Sequence, residues 1–266
     1  MAATPVSDTW ESGDPYERYV GRWSRQVAPR FLAWLAMQPG RRWLDLGCGT
    51  GALSAAVLDH AAPDSVTGVE PSDGFRATAQ GNLGGRARLL AGDASAIPLA
   101  DASVDVVVSA LVLNFVPDPR AALIEMARVT GAGGTVAAYV WDYAGRMDLM
   151  RHFWDVAAAL DPAAARLDEG VRFPLCRADA LQAAFVDAGL RQVAVTPIDV
   201  ATRFADFDDY WQPFLGGQGP APAYAMALEP QARAALRDTI RTRLPLRADG
   251  SVDLLARAWA VRGTVA

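Results

Sequence analysis

Three acidic residues, Asp45, Glu70 and Asp93, each follow an apolar stretch in the first part of the chain. Two residues after Asp45 begins the turn Gly47-Cys48-Gly49-Thr50-Gly51, and then comes an alanine-rich amphipathic segment from Ala52. Glycines let the backbone turn sharply and let a ligand approach it closely. A helix that starts after such a turn offers unpaired N–H groups to a polar or anionic ligand. The pattern predicts a strand, turn and helix that bind a ligand; a glycine-rich turn without a ligand is the alternative.

The spacing of the acidic residues indicates the kind of ligand. Glu70 lies nineteen positions after Gly51, where a nucleotide-binding βαβ unit places a carboxylate that accepts hydrogen bonds from ribose hydroxyls. An acidic residue at a strand end also occurs by chance. The turn fits the dinucleotide pattern G-x-G-x-x-G/A loosely, but Asp45 would repel a pyrophosphate and attract an ammonium group. Asp93-Ala94 suits the exocyclic amine of an adenine, so an adenosine with a cationic group is favoured and NAD is the alternative.

The elements that must position these residues alternate along the chain. Apolar strands are predicted at 42–46, 65–70, 86–94, 103–110 and 135–140. Two helical pieces are predicted over 16–37 before them, and helices at 52–60, 73–82 and 117–129 between them. The run 103–110 is rich in β-branched residues, as expected for a strand covered on both faces of a parallel sheet. Gly131 to Gly134 are predicted to cap the helix before them. The alternation predicts an α/β fold with a doubly wound sheet and a ligand at the carboxyl ends of its strands.

The second half of the chain shows a looser pattern. Helices are predicted at 146–160, 178–188 and 229–243, and strands at 191–200 and 251–264. An aromatic cluster, residues 204–214, and a Gly/Pro loop, 216–222, lie between the two strands. The loop is a candidate mobile lid. The aromatic cluster would suit an apolar or aromatic small molecule, and packing of the insertion's helices is the alternative.

Composition excludes several classes of function. The chain has 266 residues, a net charge of −5, no lysine and two cysteines. Because the chain has no excess of basic residues to pair with phosphates, we do not expect it to bind nucleic acid. Two cysteines are too few for a disulfide framework and indicate a reducing cytoplasm. We expect no metal site and no signal peptide. We also expect no membrane span, because the longest apolar run, 104–116, is short and interrupted.

The chain resembles the class I S-adenosylmethionine (SAM) dependent methyltransferases, especially the branch that contains the ubiquinone and menaquinone biosynthesis enzymes. The resemblance rests on Asp45 to Gly51, Glu70, Gly92-Asp93-Ala94 with Ile97-Pro98, Asp105, Leu113-Asn114-Phe115 with Asp118-Pro119, and the segment Tyr16 to Ser24. It implies a Rossmann-like, seven-stranded sheet with an antiparallel last strand, helices on both faces and a helical insertion before that strand. It also implies one domain over 1–266: a helical cover at 16–40, a cofactor-binding core at 41–140, and substrate-side helical segments at 141–190 and 201–250.

The resemblance implies a set of cofactor contacts as well. Asp45 and the turn from Gly47 to Gly51 would hold the methionine part of SAM, and Glu70, with Pro71 beside it, would bind the ribose. Asp93 and Ala94 would contact the adenine, and residues around Leu111 would close over the cofactor. Tyr19 and Trp23 would cover the methionine end; packing against the main domain is the alternative for these two aromatics.

The chemistry of a sulfonium methyl group sets what the protein must add. The methyl is already electrophilic, so the protein must align a nucleophile with the S–C bond and exclude water. An alcohol or amine also needs a general base, for which His152, Tyr143 and Asp142 are the candidates; a structural or surface role is the alternative for His152. We therefore expect transfer of methyl from SAM to a small-molecule acceptor, giving S-adenosylhomocysteine, by a monomer or homodimer. The alternatives are an NAD-dependent oxidoreductase and a SAM-binding protein without methyl transfer.

Overall fold

The computed structural model describes residues 22–216 and 219–266. Its helices are α1 (Arg22–Leu35), α2 (Ala52–His60), α3 (Asp73–Leu83), α4 (Pro119–Val129), α5 (Asp148–Leu160), α6 (Glu169–Arg172), α7 (Ala178–Asp187), α8 (Phe207–Trp211), α9 (Pro220–Ala227) and α10 (Pro230–Arg243). Its strands are β1 (Arg42–Leu46), β2 (Ser65–Val69), β3 (Arg88–Leu90), β4 (Val104–Ala110), β5 (Thr130–Trp141), β6 (Arg191–Phe204) and β7 (Val252–Thr264). Short 3-10 helices cover 113–115, 162–167, 174–176 and 212–215.

The strands form one seven-stranded sheet in the order β3-β2-β1-β4-β5-β7-β6. β1 pairs in parallel with β2 and β4, β2 with β3, and β4 with β5. β7 pairs antiparallel with β5. The chain therefore has the predicted α/β fold, and helices α8 to α10 form the predicted helical insertion between β6 and β7. In this order the carboxyl ends of β1, β2 and β4 lie side by side.

Local sequence explains why the elements begin where they do. Ser72 caps α3 by accepting a hydrogen bond from the N–H of Phe75 at 3.3 Å. Asp118 caps α4 by accepting from Ala121 N–H at 2.9 Å, and Pro119 follows at the first helical position, where its missing N–H costs nothing. At the amino end of the central strands, Arg42 pairs with Asp105 at 2.7 Å, and this contact lowers the pKa of Asp105 to about 2.

The core around the central strands is apolar. Buried side chains of β1, β4 and β5 pack with those of α4 and α7, including Leu44, Val107, Met126, Val136 and Phe185. In α1 the apolar side chains Val27, Phe31, Leu32 and Leu35 are all buried. Helices therefore bury the central strands of the sheet.

The chain divides into two compact units. One contains Ser24–Trp141, Leu175–Ile198 and Ala258–Ala266, and the other contains Asp142–Pro174 and Asp199–Arg257 with the start of α1. The first unit carries Asp45, Glu70 and Asp93, and the second carries Asp142, Tyr143 and His152.

The predicted third strand, 86–94, is too long. β3 ends at Leu90, and Asp93 lies beyond it in a turn. Its Oδ1 accepts hydrogen bonds from the N–H and the Oγ of Ser95, at 2.7 and 2.6 Å. Such local side-chain bonds offer the backbone an alternative to a strand ladder, so the strand stops earlier than the apolar pattern suggests.

The predicted glycine cap at Gly131 to Gly134 is wrong. Helix α4 ends at Val129, its C-cap Thr130 is extended, and the glycines already belong to β5. The pairing with β4 shifts register here, from Val104 opposite Thr130 to Val106 opposite Thr135. A side chain at Gly134 would lie 2.7 Å from the carbonyl oxygen of Asp105. The glycines therefore serve an irregular strand pairing, not a helix end.

Two more boundaries differ in the second half of the chain. Strand β6 runs to Phe204, so 201–204 are not part of a helical segment. The predicted loop 216–222 is shorter, because α9 begins at Pro220; proline at the first helical position fits a helix start well. Within the described ranges, no helix combines the length and apolar character that crossing a membrane requires.

Candidate functional site

The glycine turn joins the end of β1 to α2 in a compact form. Gly47, Gly49 and Gly51 have φ values of 71°, 54° and 88°, in the left-handed region that favours glycine. The N–H groups of Gly47 and Cys48 both donate to the carbonyl of Val69 at the end of β2, at 2.8 and 3.1 Å. These two backbone bonds hold the start of the turn against the neighbouring strand.

The three glycines differ in the space around them. A side chain at Gly47 would lie 2.5 Å from Cγ2 of Val112, and one at Gly51 would lie 3.1 Å from Leu83. A side chain at Gly49 would meet no atom within 4 Å. Gly47 is required by packing as well as by φ, whereas Gly49 faces open space where a ligand could lie.

Asp45 is a buried carboxyl in the central strand, 1% exposed. Its Oδ2 accepts a hydrogen bond from Ser54 Oγ in α2 at 2.7 Å. Its Oδ1 is buried and accepts no hydrogen bond from any residue the structure describes. Burial raises the pKa of Asp45 to about 7, and the bond from Ser54 only partly offsets this rise. The group is ready to bind a donor and would ionise more readily beside a cation.

Glu70 follows β2 and joins two turns. Its Oε2 accepts from Gly49 N–H at 3.0 Å, and its Oε1 accepts from Ser72 N–H at 3.0 Å. Below it, Arg76 donates to the carbonyl oxygens of Glu70 and Pro71, at 2.9 and 3.0 Å. Each carboxylate oxygen keeps lone pairs for a further donor, such as a ribose hydroxyl.

Four other predicted cofactor residues lie in the same unit. Ala94 is buried and Asp93 is exposed, with a pKa lowered by its bonds from Ser95. Thr50 accepts a hydrogen bond at its carbonyl from Asn82 Nδ2 at 2.9 Å. Leu111, after β4, has φ 62° and donates its N–H to the carbonyl of Tyr139 at 2.8 Å. A leucine in the left-handed region is uncommon, and such strain is concentrated at functional sites.

Cys48 is a buried residue of the turn. Burial raises the pKa of its thiol, and the nearby carboxyls of Asp45 and Glu70 raise it further. A thiol in this state is a poor nucleophile. A side chain at Gly68 would lie 2.7 Å from its Sγ, so Cys48 fills the space that Gly68 leaves. It acts as a small packing residue.

The three candidate general bases lie in the other unit. Asp142 is buried and its Oδ2 accepts from Arg146 N–H at 3.0 Å, which closes a tight turn. The ring of Tyr143 is buried and packs on Phe173 at 5.8 Å. His152, on α5, is half-buried, and burial lowers its pKa against the opposite effect of Asp148 and Asp155. At neutral pH His152 is therefore uncharged, as a general base must be.

The predicted aromatic residues serve packing. Trp23 is buried and packs edge-on against Phe204 at 5.6 Å, and Tyr19 lies outside the described residues. All five aromatics of the 204–214 cluster are buried. Phe214 also stacks on Phe153 at 4.5 Å. Because the rings form the interior of their own unit, they give no support for an aromatic acceptor.

Sequence reasoning missed two polar residues that the structure brings out. Ser54 is a fully buried hydroxyl in an otherwise apolar helix turn, and this contrast was a usable signal. Glu169 is a buried carboxyl whose pKa burial raises to about 7; its Oε2 accepts from Trp154 Nε1. Nothing in the residues around Glu169 indicates that it would be buried.

The residues of the first unit fit SAM. Asp45 Oδ1 offers a buried acceptor to the methionine ammonium group, Gly49 leaves open space beside the turn, and Glu70 has acceptors for two ribose hydroxyls. A carboxylate this close to the turn does not suit a pyrophosphate. No group of three or more His, Cys, Asp or Glu side chains that could hold a metal ion occurs among the described residues.

The seven-stranded sheet with its antiparallel last strand and the acidic residues around the glycine turn resemble those of the class I SAM-dependent methyltransferases. Residues 44–138, less than half of the chain, match the family model described as a methyltransferase domain. This part of the chain is therefore similar to that domain family.

Individual relatives agree with this assignment. The malonyl-[acyl-carrier protein] O-methyltransferase of Serratia marcescens is 36% identical over 112 residues, 42% of this chain and 43% of that protein. The demethylmenaquinone methyltransferase of Renibacterium salmoninarum is 38% identical over 117 residues, 42% of this chain and 45% of that protein. The chain thus matches less than half the length of these curated relatives.

A solved structure shows the same fold. The phosphoethanolamine N-methyltransferase 2 of Haemonchus contortus, in complex with SAM, matches with a TM-score of 0.58 and 15% identity. The match covers 94% of this chain and 56% of that chain. At this identity the likeness shows the fold alone.

Proposed function

We propose that this protein transfers the methyl group of SAM to a small-molecule acceptor. The observation that carries the proposal is Asp45, a buried carboxyl with one unpaired oxygen at the end of the central strand. A buried acceptor of this kind is costly unless a donor completes it. An ammonium group is such a donor and also stabilises the ionised carboxylate, whereas NAD offers a pyrophosphate that Asp45 would repel.

The residues of the first unit have separate tasks in this proposal. Asp45 binds the ammonium group, and the turn from Gly47 to Gly51 lets the methionine part approach the backbone. Glu70 accepts the ribose hydroxyls while it holds Gly49 and Ser72 in place. Asp93 and Ala94 contact the adenine, and Leu111 closes the site at the end of β4. Trp23 packs on Phe204 in the other unit, and for Trp23 and Tyr19 a contact with the methionine end stays a prediction.

When bound, SAM supplies a sulfonium methyl, which passes to the acceptor in line with the breaking S–C bond and leaves S-adenosylhomocysteine. The protein's contribution is alignment and exclusion of water. If the acceptor is an alcohol or amine, a base must take its proton. His152 is the favoured base because its lowered pKa keeps it neutral at pH 7. Asp142 already closes a turn, and Tyr143 is packed on Phe173, so both come second.

The acceptor is proposed as a small molecule. The net charge of −5 and the absence of lysine support this over a nucleic-acid substrate. The single-domain organisation over 1–266, the cytoplasmic location and the monomeric or dimeric state stay predictions. Size-exclusion chromatography with light scattering would measure the last of these.

The test is calorimetric titration with SAM, S-adenosylhomocysteine and NAD. We expect saturable binding of both sulfur compounds and none of NAD. Saturable NAD binding without SAM binding would overturn the proposal. If SAM binds, a panel of alcohols, phenols, amines and carboxylates should yield S-adenosylhomocysteine with at least one member. Binding without any such product would instead favour a SAM-binding protein that transfers no methyl.

A further inference from the structure

Asn114 carries a second unpaired acceptor in the first unit. Its side-chain Oδ1 is buried, and no described residue donates a hydrogen bond to it. Buried polar atoms nearly always have a partner, and one without a donor costs free energy. Among the described residues of this unit, Asp45 Oδ1 and Asn114 Oδ1 are the two buried side-chain oxygens in this state.

The fold brings Asn114 to the same end of the sheet as Asp45. β1 and β4 are neighbours, with Asp45 opposite Val108. After β4 the chain turns at Leu111, passes Val112, and enters the 3-10 helix Leu113–Phe115. Val112 lies directly against Gly47, since a side chain at Gly47 would be 2.5 Å from it. Asn114 is therefore two residues from the contact between this segment and the glycine turn.

Both unpaired atoms are acceptors, so they fit the same kind of ligand group. An ammonium carries three N–H donors and needs several acceptors, of which one carboxylate oxygen and one amide oxygen are suitable. A neutral amide oxygen adds this capacity without placing a second negative charge beside Asp45, whose pKa burial already raises. An N–H or O–H on the methyl acceptor would satisfy Asn114 in the same way.

We propose that Asn114 is a ligand-binding residue whose Oδ1 accepts a hydrogen bond from an N–H or O–H group of a ligand held at the carboxyl ends of β1 and β4. The proposal rests on the proposed function and deepens it. The donor has two sources, the methionine ammonium of SAM and the nucleophilic group of the acceptor. Both present the same chemistry to the amide oxygen.

The first measurement needs no acceptor. Asn114→Leu keeps the branched shape of the side chain and removes the unpaired oxygen. Because no described residue donates to that oxygen, the ligand-free Tm should stay equal or rise. A clear fall in the ligand-free Tm would show that Asn114 has a structural partner and would overturn the proposal. Gln80→Leu, an exposed amide on α3, is the matched control and should change neither Tm nor binding.

The second measurement separates the two sources. Calorimetry with S-adenosylhomocysteine and with 5′-methylthioadenosine, which lacks the amino-acid part, compares Asn114→Leu with Asn114→Asp and the wild type. A loss of about tenfold or more for S-adenosylhomocysteine alone assigns the donor to the ammonium group. Asn114→Asp, which keeps acceptor oxygens, should bind within about threefold of the wild type.

If Asn114→Leu binds both compounds normally, the donor belongs to the acceptor. Turnover of SAM with a panel of alcohols, phenols and amines should then fall at least tenfold in Asn114→Leu and recover in Asn114→Asp. An Asn114→Leu protein that equals the wild type in binding and in turnover overturns the proposal. Failure of the wild type to bind S-adenosylhomocysteine would instead overturn the proposed function, and the two failures are therefore distinguishable.

Discussion

The N–H of Gly49 donates to Oε2 of Glu70 at 3.0 Å, so the acidic residue after β2 holds the middle of the glycine turn that follows β1. The other oxygen of Glu70 accepts a hydrogen bond from the N–H of Ser72, and the Oγ of Ser72 caps α3. One carboxylate thus fixes two turns on neighbouring strands before any ligand arrives. Preorganisation of this kind reduces the entropy that binding must offset.

Replacing Glu70 should weaken cofactor binding strongly. Loss of a hydrogen bond to a charged group costs about 1.5–3 kcal/mol, so Glu70→Ala should raise the Kd for SAM about 10- to 100-fold. Glu70→Gln keeps one acceptor oxygen and should lie between Glu70→Ala and the wild type. Calorimetry measures both. Asp59→Asn, which breaks an exposed pair with Arg86, is the control, and an unchanged Kd in Glu70→Ala would remove this residue from the site.

Asp45→Asn should stabilise the ligand-free protein at high pH while it weakens SAM binding. The pKa of about 7 in the folded protein lies above the ordinary aspartate value of 3.8. Between these values the folded state binds the extra proton, so this carboxyl lowers stability as pH rises toward 7. Asparagine carries no charge to bury, so the variant should gain about 2 kcal/mol at pH 8 and nothing at pH 4. Urea unfolding at both pH values measures this; a loss at pH 8 would contradict it.

SAM affinity should rise with pH below neutrality. An ammonium group binds the ionised form of Asp45. Below its raised pKa the Asp45 carboxyl is protonated, so binding must release that proton. We expect the Kd to fall between pH 5.5 and 7, by about tenfold per unit at the lower end. Titrations in two buffers of different ionisation heat would count the released proton. In Asp45→Asn the pH dependence should disappear; its persistence would assign the proton to another group.

Gly47→Ala and Gly49→Ala should separate packing from backbone conformation. Both glycines have a left-handed φ, which costs an alanine about 1 kcal/mol. Only Gly47 also meets a side chain, at Val112, so Gly47→Ala should lose about 2–4 kcal/mol of stability and Gly49→Ala about 1. Val112→Ala should restore part of the loss in Gly47→Ala. Thermal unfolding of the wild type, Gly47→Ala, Val112→Ala and the double variant measures this coupling, and strict additivity would exclude the contact.

Sequence patterns predicted the order of the strands and helices well, because apolar periodicity reports which faces are buried. The patterns failed where side-chain hydrogen bonds, or contacts with backbone distant in sequence, determine where a strand or helix ends. Asp93 ends its strand through two bonds from Ser95, which no periodicity reveals. The sequence pattern predicts a helix cap at Gly134. In the structure a glycine is needed there because a side chain would lie too close to the carbonyl oxygen of Asp105, on a strand distant in sequence.

The candidate site was predictable to a similar degree. The types and spacing of Asp45, Gly47 and Glu70 indicated an adenosine ligand with a cationic group. The unpaired oxygen of Asn114 was not predictable, because it depends on the packing around a 3-10 helix. The surroundings of His152, including Asp148 and Asp155, likewise depend on tertiary burial.

The burial of Cys48 has a practical consequence for studying the site. Its thiol lies inside the turn, under 10% exposed, and burial raises its pKa, so a thiol-reactive dye can label it only when the turn opens. The labelling rate therefore measures how often the turn opens, as hydrogen exchange does for backbone amides. With the other buried thiol, Cys176, replaced by serine, the unlabelled fraction over time reports one local motion through a native sulfur atom.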